Sequence, residues 1–231
     1  FRNYWFETGT PTFLVEVLKK NQYELDNLTE ELATADDLTG LDTAMANPVP
    51  LIYQSGYLTI KGYDKEFKMY QLGYPNKEVE EGFAHFLVPF YTPVPRDKQN
   101  FFIPNFVKDL RKGNVEGFMT RLQALFADGS YQVAGDMELY FHNCMAVIMK
   151  LLGFYVEVER QTSNGRIDIL IRTQDYVYIM ELKLDDTADA ALRQIEEKGY
   201  AQPFAADARA LYKIGVSFST TTRRIEEWKV V

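Results

Sequence analysis

The stretch "GRIDILIRTQDYVYIMELKLDD", residues 165–186, reads as two apolar strands joined by a turn, with charges inside each strand. Asp168 stands between Ile167 and Ile169, and Glu181 and Lys183 interrupt the run Tyr178–Leu184. Burying an unpaired charge is expensive, so a hairpin built this way needs partners for those charges or a use for them. Side chains alternate along a strand, which groups Asp168 with Arg166 and Leu170 and puts Ile167, Ile169 and Ile171 on the other face. Glu181 and Lys183 likewise share a face, away from Leu182 and Leu184. If the strands pair, two carboxylates and an amine converge on one patch. Carboxylates that close raise the pKa of one unless a cation intervenes, and hard oxygen ligands suit magnesium or manganese. The same residues also suit a plain cross-strand ion pair between Asp168 and Lys183, worth roughly 0.2–1 kcal/mol when exposed.

Outward from the hairpin the period-two pattern continues. It predicts strands over Phe154–Gln161, Arg166–Arg172, Tyr176–Leu184, Leu211–Ser219 and Ile225–Val231, with a turn at Thr162–Gly165 and a helix over Thr187–Tyr200. Before them, "YQVAGDMELYFHNCMAVIMKLLGF" (131–154) predicts a long, largely buried helix capped at Gly153. This succession describes a mixed sheet flanked by helices.

Residues 1–95 read as helices plus one hairpin. Thr10-Pro11 opens a helix with Phe13, Leu14, Val17 and Leu18 on its apolar face, and Asn47–Gln54 forms a short helix ended by Gly56. "YLTIKGYDKEFKMYQLGYP" (57–75) gives two strands around a turn, and Asn76 caps a helix with acids in its first turn. Helices followed by a two-stranded hairpin make a winged-helix-like region. Its Lys61, Lys65 and Lys68 could touch phosphates, but Asp64 and Glu66 between them favour a solvated hairpin. The segment "TPVPRDKQNF" (92–101) marks a boundary, followed by amphipathic helices near 102–112 and 114–127. The expected division is therefore 1–95, a helical linker 96–135, and an α/β part 136–231, an α+β protein overall.

Composition narrows the function. The chain of 231 residues is 46% hydrophobic, enough for a packed core, and no apolar run approaches the roughly 18 residues a membrane span needs. One cysteine, Cys144, excludes an internal disulfide, and two distant histidines, His85 and His142, argue against a zinc cluster. A reducing, cytoplasmic setting is expected. The net charge of −8 argues against a broad basic surface for gripping nucleic acid, although a metal site needs clustered acids in any case. Neither a phosphate-binding G-x-x-x-x-G-K-[ST] nor a G-x-G-x-x-G occurs, so no ATP site is expected in this chain. The first residue is Phe1 and no signal-like segment follows, so the chain is expected to be part of a longer protein.

Asp168 followed by Glu181-Leu182-Lys183 resembles the bipartite motif of the PD-(D/E)XK nuclease superfamily, which has a restriction-endonuclease-like fold. The phrases "GRIDILI", "YIMELKLD", "ALRQIEEKGYA", "IGVSFS" and "RRIEEWKV", in this order, resemble the nuclease-like C-terminal domain of a large bacterial family in which it follows an AAA-ATPase-like domain. "WFETGTPTFLVEVLKK", "LIYQSGYLTIKGYD" and "LGYPNKEVEEGF" resemble the closing part of that ATPase-like region. The resemblance implies that Asp168 and Glu181 bind a magnesium or manganese ion, with the Leu182 carbonyl as a third ligand and Glu138 acting through water. It implies that Lys183 orients or deprotonates the attacking water, that Gln194 supports the lysine or the water, and that Tyr200 closes the motif. Ile167 stands where the written motif has proline, a position variable in the superfamily. The implied activity is metal-dependent phosphodiester hydrolysis of nucleic acid, with the ATP-binding segment outside this chain and residues 1–95 as a lid or winged-helix remnant. The alternative is a binding or regulatory module that has kept the fold and lost cleavage. Cys144 and His142 read as core or boundary residues. Arg160 and Arg166, flanking the hairpin, either hold phosphate or are simply exposed.

Overall fold

The computed structural model of the chain describes residues 10–25, 28, 32–39, 47–92, 94, 99–129, 137–160 and 168–231. The chain divides into two compact units, Phe1–Tyr91 with His142–Val147, and Thr92–Phe141 with Ile148–Val231.

In the first unit, helix α1 (Thr10–Lys20) buries Leu14, Val17 and Leu18 of the expected face, whereas Phe13 is exposed and Val15 is buried in addition; the helix ends on Lys19 and Lys20, which answer the helix dipole. The short strand β1 (Leu32–Ala33) leads into α2 (Ala35–Thr39), where Thr34 and Asp37 cap each other reciprocally. After α3 (Val49–Gln54) come β2 (Thr59–Asp64), β3 (Met69–Gly73) and α4 (Lys77–Tyr91). The strands form an antiparallel sheet of order β1-β3-β2. Asn76 Oδ1 accepts the Val79 N–H at 2.9 Å, as the cap pattern predicts. Strand β1 was not expected, because two residues are too few to show alternation. Buried Asn143 accepts the Leu25 N–H and donates to the Tyr23 carbonyl, satisfying backbone groups that no regular element uses.

The second unit holds α5 (Gln99–Arg111) and α6 (Val115–Gly129), with a turn tied by buried Asp109, which accepts from Asn114 and Arg121. Helix α7 spans Met137–Leu152, its central residues counting with the first unit. There follow β4 (Glu157–Arg160), β5 (Ile169–Arg172), β6 (Tyr176–Leu184), α8 (Ala188–Glu197), β7 (Ala210–Ser219) and β8 (Arg224–Val230). The strands form one sheet in chain order, antiparallel except for β6 and β7, whose parallel pairing requires the α8 crossover. Leu170, Val177 and Ile179 pack beneath Ile195 of α8 and Tyr200. On the opposite face the Tyr178 hydroxyl donates to the Leu110 carbonyl, and the Phe218 ring packs against Phe126 and Phe141.

The mixed sheet with flanking helices matches the expected α+β class. Several boundaries differ, among them the end of α8, at Glu197 and not at Tyr200. Strand β4 begins at Glu157 because the N–H groups of Tyr155 and Val156 still bond back to the Leu152 carbonyl and prolong the end of α7. Strand β5 begins at Ile169, since Asp168 turns its carboxylate to the neighbouring backbone. Gly153 ends α7 without the left-handed conformation expected of a glycine cap; its N–H bonds to the Met149 carbonyl. The predicted turn at 162–165, together with Arg166 and Ile167, lies outside the described residues. Among these, no helix is long and apolar enough to cross a membrane.

Candidate functional site

Antiparallel pairing of β5 with β6 runs from Arg172↔Val177 to Ile169↔Met180, and β6 then continues alone on that edge for its last residues. Asp168 occupies the step. Its Oδ2 accepts the Leu182 N–H at 2.8 Å, so a side chain takes the place of a ladder bond. In an extended strand a residue's N–H and C=O face the same edge, and the Leu182 carbonyl therefore opens toward Asp168 as well.

Glu181 points under α8 and is only 2% exposed. Its Oε1 accepts from the Lys183 Nζ at 3.3 Å and from the Gln194 amide, and the Gln194 Oε1 accepts from the same Nζ at 2.5 Å. The amide thus presents oxygen to the ammonium and nitrogen to the carboxylate. Local sequence explains how Gln194 arrives there. Thr187 caps α8 by accepting the Ala190 N–H, and Ala188, Ala191 and Ile195 form the buried stripe beside which Gln194 projects. Buried Ser217 donates to the Asp186 carbonyl, fixing the turn between β6 and α8.

Gly215 completes this arrangement and escaped the sequence reading. It pairs with Glu181 across the parallel ladder, and a Cβ there would sit 2.2 Å from the Ala188 carbonyl oxygen. Only a bare backbone lets α8 lie this close to the strand. The available signal was a lone glycine inside the apolar strand "IGVSFS".

Burial pushes the Glu181 carboxyl up to about 7, and the charge of Asp168 adds to this, while Lys183 and Gln194 pull the other way. Its second oxygen, Oε2, is buried without a hydrogen-bond partner. A carboxylate oxygen deprived of donors, beside a second carboxylate and a carbonyl-bearing strand edge, is the donor set a hard divalent cation satisfies. The Tyr200 hydroxyl is also buried and lacks a partner at normal hydrogen-bond length, though it lies near Gln194. Burial and the Glu181 and Asp168 carboxylates push the Tyr200 phenol up, against the pull of Gln194.

The structure brings together Asp168, Glu181, Leu182, Lys183 and Gln194. Lys183 pairs with Glu181, so the simple Asp168–Lys183 ion pair is not what holds the lysine. Glu138 lies exposed in the first turn of α7. Among the described residues no three His, Cys, Asp or Glu side chains gather as a direct metal cluster, so Glu138 does not join the other two acids as a third direct ligand. Cys144 is buried, and burial pushes its thiol well above the usual range, as suits a core residue. His142 is partly buried on the same helix. The side chains of Arg160 and Arg166 lie outside the described part.

Comparison with known proteins adds three findings. Residues 136–228 match the family described as the PD-(D/E)XK nuclease superfamily. A curated relative named "Uncharacterized protein in vnfD 5'region", from Azotobacter chroococcum mcd 1, is 32% identical over 235 aligned residues, which cover 97% of this chain and 45% of the relative. The chain thus spans less than half the length of that relative. No solved structure matches the chain. With the Asp168 and Glu181-Leu182-Lys183 geometry inside the matched segment, residues 136–228 form a PD-(D/E)XK nuclease superfamily domain.

Proposed function

We propose that the chain is the nuclease part of a larger ATPase-like protein and hydrolyses phosphodiester bonds in nucleic acid with a divalent ion. The observation that carries this reading is the buried, unpartnered Glu181 oxygen beside Asp168, with Lys183 held against the pair by Gln194. Asp168 and Glu181, with the Leu182 carbonyl, would hold magnesium or manganese, and Glu138 would act through a bridging water. When bound, such an ion neutralises phosphate charge and lowers the pKa of water. Lys183 orients the attacking water and answers the charge that develops on phosphorus. Gln194 keeps the ammonium aimed at the site, and Gly215 keeps Gln194 within reach. The phosphate-binding loop of the ATPase-like region would belong to the part of the longer protein that this chain does not span. The order α1-β1-α2-α3-β2-β3, with sheet order β1-β3-β2, supports a winged-helix-like N-terminal region.

One observation favours a second reading, a regulatory module without cleavage. Lys183 and Gln194 already satisfy one Glu181 oxygen without an ion, a network that stabilises the fold by itself. Calorimetric titration of manganese into the chain, paired with cleavage of single- and double-stranded substrates, separates the two. The nuclease reading expects binding and cleavage, both abolished in Asp168→Ala and in Glu181→Ala. No manganese binding at this pair and no cleavage by the unmutated chain would establish the silent module.

A further inference from the structure

We propose that the distal end of the β2–β3 hairpin is a contact surface for an unpaired strand of nucleic acid, a proposal that rests on the nucleic-acid reading above. Among the described residues eight large hydrophobic side chains are exposed, and four of them, Leu32, Ile60, Tyr63 and Phe67, belong to the small three-stranded sheet or its turn. A hairpin that merely solvates itself does not concentrate apolar surface in this way. At its far end, residues Tyr63 to Tyr70 hold three aromatic rings and two lysines. Phe67 is 67% exposed and Tyr63 50%. Tyr63 and Tyr70 are direct cross-strand partners, their ring centroids 4.9 Å apart.

The turn is built rather than loose. Asp64 Oδ1 accepts the N–H groups of both Glu66 and Phe67, at 2.8 and 3.0 Å, and Lys68 takes a left-handed conformation, φ 54°. The Phe67 ring is therefore presented on a fixed support. The Asp64 carboxylate is engaged by the turn, whereas Lys65 and Lys68 form no ion pair among the described residues. Glu66 is the acid that tempers this local charge.

Nucleic acid fits this surface better than protein does. Lysine is depleted from the centres of protein interfaces, whereas rings interleaved with lysines suit bases stacked beside phosphates. A chain of net charge −8 offers no general attraction for a polyanion, so any grip on one must be local. Exposed ring faces need bases free of their own partners, which selects an unpaired strand over a duplex.

Fluorescence anisotropy of labelled single-stranded and duplex oligonucleotides, titrated with the whole chain in EDTA at low salt, tests this without cleavage. The expected result is tighter binding of the single strand, about tenfold weaker in Phe67→Ala and restored in Phe67→Trp. Lys65→Ala with Lys68→Ala should lower the salt slope by about 1.4, and Glu66→Gln should tighten binding. All substituted positions are solvent-facing, and thermal melts confirm that each variant is folded. Unchanged affinity in Phe67→Ala and in the double lysine variant overturns the proposal, as does preference for the duplex or no binding by the unmutated chain. Cleavage with manganese, lost in Asp168→Ala, is scored separately. Cleavage with hairpin-independent binding sinks only the hairpin, and hairpin-dependent binding without cleavage sinks only the nuclease.

Discussion

Hairpin β5–β6 buries a carboxylate beneath a helix, while hairpin β2–β3 holds a phenylalanine out in water. Each reverses the ordinary match between polarity and burial, and the two reversals obey different physics. Around Glu181 water is excluded, so charges interact strongly and the carboxyl responds to pH. Around Phe67 solvent is everywhere, so attraction is screened, salt-sensitive and additive over small contacts. A substitution in the first hairpin should therefore change chemistry and folding together, whereas one in the second should change binding alone.

The largest contrast is expected at Lys183. On the nuclease reading, Lys183→Ala should reduce the cleavage rate by on the order of 10²–10³-fold, measured as kcat at saturating substrate, because it would remove the charge that answers the transition state. An unchanged kcat would move the lysine from the chemistry into the fold. Next comes Gly215→Ala, which forces a methyl group against the Ala188 carbonyl. Lifting α8 should destabilise the protein by about 1–3 kcal/mol in urea unfolding and withdraw Gln194 from Glu181 and Lys183. The same variant should weaken manganese binding even where it is fully folded, and full retention of affinity would show that α8 position does not matter to the site.

The pH response sharpens the comparison further. Glu181 has a folded-state pKa of about 7 against its ordinary 4.5, so the folded protein binds this proton more tightly than the unfolded chain. Its contribution to stability is complete below about 4.5 and is lost as pH rises through about 7. Glu181→Gln cannot ionise and lacks that loss. In metal-free buffer the stability of the variant relative to the unmutated chain should rise across that interval by on the order of 3 kcal/mol and then level off. A flat difference between the two unfolding profiles would refute the buried, ionisable glutamate. The smallest effect belongs to the other hairpin: Phe67→Ala should leave unfolding free energy within about 0.5 kcal/mol. A larger loss would mean that the ring packs against something in the folded chain.

Alternation of apolar and charged residues placed β6 at Tyr176–Leu184 and set Glu181 and Lys183 on one face, because the direction of a strand side chain depends only on its own backbone. The start of α8 was equally local, written in Thr187 and the stripe that follows. The partner of Lys183 was not, since it depends on which helix crosses that face and how near it comes. Alternation alone left Asp168 and Glu181 equally available to the amine. The crossover from β6 to β7, held close by Gly215, delivers Gln194 to the lysine and joins the lysine to Glu181, while the Leu182 N–H engages Asp168. Likewise the sequence shows the aromatic and basic residues of β2–β3, but only the folded sheet leaves Phe67 uncovered. Local periodicity fixes orientation. Contacts between distant segments decide which charges are neutralised and which rings stay in water, and those contacts exist only once the chain has closed on itself.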